Sequence, residues 1–296
     1  MSSHAYRHAS LQPACGIHTL YSDKPLIMGI LNVTPDSFSD GGKYSGLNAA
    51  MQQVARMLSE DVDIIDIGGE STRPGADPVA AREQIQRVIP VIEAVRHDMG
   101  SDILISIDTT LSAVARAALD AGANIINDVS GGRGDVAILA LAAQTGVPII
   151  LMHSQGTPKT MQDNPGYKNV VQEVLDALNA SVNAALKAGV KQEAIVIDPG
   201  IGFGKRKQDN LELLAHLDAL VSTGFPVLLG TSRKRFMGTI CDVAEPSGLV
   251  TATAVTTALG VMAGVQIFRV HDVKENRQAA DVAWAIKQSR YSVGSW

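Results

Sequence analysis

The chain of 296 residues is poor in aromatic side chains, at 4%, and holds two cysteines, Cys15 and Cys241, far apart in sequence. Two distant thiols make no disulfide framework and point to a reducing, cytoplasmic setting. Basic charge is not in excess either: 25 Lys and Arg stand against 30 Asp and Glu, a net charge of -5. That balance gives no electrostatic footprint for nucleic acid or an anionic membrane. The N-terminus, MSSHAYRHAS, has no apolar core of the kind a signal peptide needs. Long uncharged runs are few. Val250–Phe268 is long enough to span a bilayer, but Thr residues, Gly264 and Gln266 interrupt it. The expectation is a buried helix that feeds a strand, and the run Val136–Met152 has the same explanation. No linker and no low-complexity segment divides the chain.

What is present is a large apolar fraction, 46%, spread in a regular order. Eight apolar, β-branched segments lie at 26–31, 63–67, 103–107, 124–127, 148–152, 194–198, 226–229 and 266–270. Ala- and Leu-rich stretches with helical spacing lie between them, among them Ala49–Ser59, Val79–His97, Leu111–Ala121 and Leu211–Val221. Strands so apolar need cover on both faces, which favours a parallel sheet. Eight strand-then-helix units predict a single-domain α/β (β/α)8 TIM barrel, with a doubly wound open sheet as the structural alternative. The barrel is expected over residues 15–290, with a disordered tail at 1–14, a short tail at 291–296, and a hairpin near 15–24 capping one end.

In such a barrel, functional groups gather where strands end. The ends here carry Asn32; Asp66 ahead of Gly68-Gly69-Glu70; Asp108; Asn127-Asp128; Met152-His153; Asp198; Ser232-Arg233-Lys234; and Arg269 with His271. One such residue alone is usually a cap or a structural hydrogen bond, and Asp108, just before Thr109-Thr110, could cap a helix. The shared phase of the whole set argues for a site. Asp108, Asn127 and Asp198 would offer two carboxylates and an amide to one mouth, which suits a flat heterocycle rich in N–H donors, such as a 2-amino-4-oxo pterin or guanine. Arg269 and His271, two apart on a strand, would face the same side and could meet one anion, with Arg233 and Lys234 adding charge; a solvated basic patch is the alternative. Asn32 could ligate Mg²⁺, an ion that keeps several waters and takes phosphate oxygens. Gly200, Gly202 and Gly204 in DPGIGFGK lack dinucleotide-fingerprint spacing and instead suit a tight loop in which backbone approaches a ligand, with Phe203 as an aromatic wall. The run Lys205-Arg206-Lys207 is expected on a solvated loop face. The loops 34–44 and 71–78, rich in Gly, Pro and small residues, suit lids.

The motifs MGILNVTPDSFSDGG, DIGGESTRPGA, SIDTT, NIINDVSGG, LMHSQGTPKTMQ, DPGIGFGK, GTSRKRF and RVHDVKE, in that order from about residue 26 to about residue 280, resemble the dihydropteroate synthase family of folate biosynthesis. The resemblance implies an Mg²⁺-dependent transferase that joins 6-hydroxymethyl-7,8-dihydropterin diphosphate to p-aminobenzoate, giving 7,8-dihydropteroate and diphosphate. It implies pterin contacts at Asp108, Asn127, Met152, Asp198, Phe203 and Lys234, with Asp108 and Lys234 in catalysis. It implies diphosphate contacts at Asn32, Arg269 and His271, the metal at Asn32, and a p-aminobenzoate site at Phe38, Thr72, Arg73 and Ser232. It further implies a homodimer, for which the uncharged late helices could serve, and competition by sulfonamides. Two positions depart from the common family pattern, Arg235 at the rim of the p-aminobenzoate site and Ser154 beyond Met152. A pterin-binding methyltransferase barrel serving a corrinoid would share the pterin acceptors, but would have no use for the p-aminobenzoate loops. A non-catalytic pterin-binding paralogue should have lost loop or diphosphate residues that stand here.

Overall fold

Each apolar segment is a strand, and the eight run parallel. In the computed structural model, which describes residues 20, 22, 24–33, 42–72, 75–100, 102–156, 159–161, 163 and 165–292, they are β1 (Leu26–Asn32), β2 (Ile64–Gly68), β3 (Leu104–Asp108), β4 (Ile125–Asp128), β5 (Ile149–Met152), β6 (Ile195–Asp198), β7 (Leu228–Leu229) and β8 (Ile267–Val270). The sheet order is β6-β5-β4-β3-β2-β1-β8-β7. A parallel bridge from Ile197 to Val227, with the Ile197 N–H donating to the Pro226 carbonyl at 3.0 Å, links its two edges. The open-sheet alternative is thereby removed, since these edges would lie far apart in a doubly wound sheet.

The helices are α1 (Gly42–Ser59), α2 (Ala81–Met99), α3 (Ser112–Asp120), α4 (Ala137–Thr145), α5 (Val170–Lys187), α6 (Lys207–Ala215), α7 (Leu217–Val221), α8 (Arg235–Cys241), α9 (Val250–Ala263) and α10 (Val273–Ser292). The single helix expected over Leu211–Val221 is two. The His216 ring takes the Glu212 carbonyl at 2.8 Å, and the His216 N–H turns to Leu213 instead, so the helix breaks there.

Alternation along the strands builds two cores. Leu26, Met28, Ile64, Leu104, Ile125, Ile150, Val196, Leu228 and Ile267 pack inside the barrel at its N-terminal end. Residues one step out of phase, such as Ile27, Ile65, Ile105, Ile126, Ile149 and Phe268, pack beneath the helices. Leu20, fully buried, joins the inner cluster. Of the expected hairpin only residues 20, 22 and 24 are described; the rest, the tail 1–14 and residues 293–296 lie outside the described residues.

Val250–Phe268 does form a helix, α9, that feeds β8, but the helix is not buried all round. Val255 and Leu259 are 54% and 61% exposed, and on α10 so are Val282 (61%) and Ile286 (52%). Only the face of α9 that carries Thr253, Thr257, Gly260 and Val261 is covered. Among the described residues Pro246–Ala263 is the one stretch long and apolar enough to cross a membrane; here it is an outer helix of the barrel.

Candidate active site

The inward phase that is apolar at the N-terminal end turns polar toward the strand C-termini. Asp66 on β2, Ser106 and Asp108 on β3, Asn127 on β4, Asp198 on β6 and Arg269 on β8 each follow an inner-core residue at even spacing. Register sets Asp108 beside Asn127 and Asp198 beside Met152, and sets Asn32 beside Gly68. Gly68 keeps that rim open: a Cβ there would come within 3.4 Å of the Asp108 Cβ and 3.7 Å of the Asn32 amide oxygen.

Arg269 reaches across the barrel. Its Nε donates to Asp66 Oδ2 at 2.7 Å and one terminal nitrogen donates to Asp108 Oδ2 at 2.6 Å. Asn127 Nδ2 leans on the same Asp66 carboxylate at 3.3 Å. All four side chains are buried or nearly so. Burial pushes the Asp108 carboxyl up to about 7, against the pull of Arg269, and the carboxylates in turn hold the guanidinium above its ordinary value. Asp198 is pushed up to about 6 by burial; the Gly200 N–H, donating to its Oδ1 at 2.7 Å, and the charges of Lys234, Lys205 and Arg269 oppose that rise. Lys234 sits with its Nζ 4.2 Å from the centre of the Phe203 ring, and burial with the repulsion of Arg269 brings it down to about 8. Neither Asp108 nor Asp198 caps a helix. Leu111 precedes α3, and Asp198 closes a turn on Gly200.

Arg269 and His271 lie near each other in sequence but have different partners. The Ser232 hydroxyl receives the His271 backbone N–H at 3.1 Å and meets the ring Nδ1 at 2.9 Å. Arg233 is turned away: it adopts φ 57° and grips Asp272 through Nε and a terminal nitrogen at 3.0 and 2.5 Å. Its charge belongs to that pair, not to a free basic patch. Thr72 is half-buried beyond the end of β2. The stem of its loop is fixed by Glu70, which accepts from Val79 N–H (2.9 Å) and from Gln84 Nε2 (3.0 Å), while Thr109 donates to Gln84 Oε1 at 3.1 Å. Phe38 and Arg73 lie outside the described residues. The Ser154 hydroxyl and carbonyl both take Arg133 (3.1 and 2.9 Å), and Arg235 is exposed at the start of α8.

The glycine loop after β6 is tight, as its composition predicts. Gly200, Gly202 and Gly204 have φ of 64°, 82° and 64°. The backbone that Gly200 approaches is the protein's own: a Cβ there would lie 1.8 Å from the His153 carbonyl oxygen. Lys205 is not on a solvated face. It is 3% exposed, with Nζ 2.8 Å from His153 Nδ1, 2.9 Å from the Gly200 carbonyl and 3.1 Å from that of Phe203. Arg206 and Lys207 are exposed. Asp66 and His153, placed among the strand ends by sequence but given no individual role, and Lys205, expected on a solvated face, are thus site-building residues.

Comparison with known proteins agrees with this geometry. The pterin binding enzyme family matches residues 28–271. The dihydropteroate synthase of Synechocystis sp. is 46% identical over 266 residues, 90% of this chain and 91% of that protein. The crystal structure of Yersinia pestis dihydropteroate synthase with a sulfonamide drug complex superposes with a TM-score of 0.83 at 41% identity, covering 90% of this chain and 95% of that one. The Xanthomonas albilineans dihydropteroate synthase with 4-aminobenzoic acid gives 0.83 at 43% identity, over 90% and 94%. With its barrel, its polar mouth and these relatives, the chain belongs to the dihydropteroate synthase family of pterin-binding enzymes.

Proposed function

We propose that the chain condenses 6-hydroxymethyl-7,8-dihydropterin diphosphate with p-aminobenzoate to 7,8-dihydropteroate and diphosphate, and that the polar barrel mouth is the site. The observation that carries this is the set Asp108, Asn127 and Asp198 converging on one mouth beside Lys234 and Phe203. A carboxylate accepts the ring N–H and exocyclic amine of a pterin side by side; the Asn127 amide donates or accepts; Met152 and Phe203 cover the ring. Lys234 adds a donor to the ring.

The reaction is assigned an early C–O cleavage. The electron pair of the C–O bond leaves with diphosphate, and the electron-rich dihydropterin delocalises the cation at the methylene. Asp108 stabilises that cation electrostatically in a site of low dielectric. The arylamine lone pair then forms the C–N bond, and the nitrogen loses a proton. Departing diphosphate is received by Asn32, by the His271 side chain and by Arg269, whose second terminal nitrogen makes no hydrogen bond to a described residue. Thr72 and Ser232, with Phe38 and Arg73, shape the p-aminobenzoate site, where sulfonamides would compete as they bind the Yersinia pestis enzyme. Closed loops would keep water from the cation.

Mg²⁺ fits only in a limited way. Among the described residues no three His, Cys, Asp or Glu side chains group as a metal cage. Asn32 offers one amide oxygen at the mouth, which suits an ion held mainly by diphosphate and water. Bound so, the ion would neutralise charge on the leaving group.

A homodimer is assigned to the open face of α9 and α10. Between them runs a groove of about 610 Å³ lined mainly by apolar side chains such as Leu259, Met262, Val282 and Ile286, with Thr251, Glu275 and Gln278 at its polar margin. Such a face is suited to a second copy of the same surface. A cytoplasmic location fits the sparse cysteines, of which Cys241 is a free, exposed thiol.

The test is diphosphate release from the dihydropterin substrate, with Mg²⁺, with and without p-aminobenzoate. Release that depends on p-aminobenzoate and yields dihydropteroate supports the assignment. Pterin binding without turnover would favour a binding paralogue or a corrinoid methyltransferase barrel, with methylfolate the next ligand.

A further inference from the structure

We propose that Lys205 is the positioning residue of the pterin pocket: its buried ammonium clamps the Gly200–Phe203 turn, so that Phe203 stands as a wall and Asp198 as an acceptor. The inference rests on the pterin assignment above.

An ammonium has three donors and no acceptor. Burial brings Lys205 down to about 7, against the pull of Asp198; protonated, it directs its three donors at the carbonyls of Gly200 and Phe203 and at Nδ1 of His153 at the end of β5. His153 can accept only while neutral, and burial beside Lys205 brings its imidazole down to about 3, so it stays neutral at any working pH. The two carbonyls belong to the residues that link the clamp to the ligand. Gly200 donates its N–H to Asp198 Oδ1 at 2.7 Å and gives its carbonyl to Lys205. Phe203 closes the turn by donating its N–H to the Gly200 carbonyl at 3.0 Å, and its ring lies 4.2 Å from Lys234 Nζ. Lys205 therefore sits behind the wall, touching no ligand, and fixes both the ring and the carboxylate that would.

The rest of the loop cannot substitute for it. Its far side is already committed: Tyr167 donates to the Gly204 carbonyl at 2.8 Å, and Gly204 is packed so close that a Cβ would lie 2.3 Å from the Gln155 carbonyl oxygen. Removal of the ammonium leaves the Phe203 carbonyl and the His153 imidazole nitrogen without that donor and the Gly200 carbonyl with the Phe203 N–H alone, so the turn must loosen to find water. The span that opens is the one carrying Phe203.

The experiment compares wild type and Lys205→Met, by calorimetric titration with 6-hydroxymethylpterin and by steady-state kinetics for each substrate. Lys205→Met is expected to weaken pterin binding, and to raise KM for the dihydropterin diphosphate, about tenfold. KM for p-aminobenzoate and kcat should each move less than about threefold, a split that general loss of structure does not produce. In a Phe203→Leu background the same substitution should cost at least about threefold less, because the wall it positions is gone. Lys205→Gln, which keeps a donor, serves in the same cycle if the Met variant does not fold. Unchanged pterin affinity, or equal losses with and without Phe203, overturns the inference while leaving the pterin site standing. A wild-type protein that does not bind the pterin overturns the functional assignment instead.

Discussion

A terminal nitrogen of Arg269 donates to Asp108 Oδ2 at 2.6 Å, which ties the last strand of the barrel to the third across its mouth. The same guanidinium holds Asp66 at 2.7 Å, so two buried carboxylates depend on one cation. Arg269→Ala would strand both. The expected loss is about 3–5 kcal/mol in chemical denaturation, the usual cost of removing one partner from a buried ion pair. Arg269→Lys would recover only part, since an ammonium lacks the planar fork that spans both acids. In ligand binding, Arg269→Ala should weaken the diphosphate-bearing substrate far more than free hydroxymethylpterin; equal losses would show that its role is confined to the carboxylates.

Asp198 carries a stability cost that substitution can expose. Its carboxyl rises from 3.8 to about 6 on folding, chiefly by burial. Between those values the folded chain holds a proton that the unfolded chain has released, so the contribution of this group falls as pH rises through the window. Above about pH 6 the full penalty is present, about 3 kcal/mol for a shift of about two units. Asn has no such penalty and keeps an oxygen for the Gly200 N–H. Asp198→Asn is therefore expected to be more stable than wild type at pH 7–8 in the absence of ligand, with the advantage shrinking toward zero by about pH 4. Urea denaturation at the two pH values measures the difference; a gap that does not change with pH would contradict it.

The groove on α9 and α10 gives a prediction of a different kind. Leu259 is 61% exposed among Val255, Val282 and Ile286 on a largely apolar face. Leu259→Glu would bury a charge against its own copy in a symmetric interface, so sedimentation should turn a dimer into a monomer while far-UV circular dichroism stays unchanged. A wild-type monomer at micromolar concentration would remove the dimer assignment.

The barrel was legible because strands and helices differ in period and because an inner strand face must be apolar at one end. The eight strands lie within about two residues of the apolar segments, as hydrophobic alternation allows. The residues at the mouth were legible through phase: Asp108, Asn127 and Asp198 stand at even spacing from inner-core residues. Lys205 was not legible. Its acceptors are backbone carbonyls that converge only when Gly200 and Gly204 adopt left-handed turns, and a basic triplet looks the same whether solvated or buried. The separate partners of Arg269, His271 and Arg233 were hidden for a related reason. Sequence neighbours on β8 and before α8 are divided among Asp66, Ser232 and Asp272, which lie far away in the chain. The open face of α9 was masked by its composition, since an uncharged helix reads alike whether its cover is the barrel or another copy.

The central claim is that the acidic mouth accepts the donor edge of a pterin. It is tested most directly by calorimetric titration of 6-hydroxymethylpterin into wild type and Asp198→Asn at pH 7.5. The substitution keeps shape and the Gly200 contact but places an N–H₂ where the pterin also donates. Affinity is expected to fall about ten- to a hundredfold, the loss of a hydrogen bond to a charged acceptor. Equal affinity for the two proteins would show that Asp198 does not hold the ligand, and would contradict the assignment of the site.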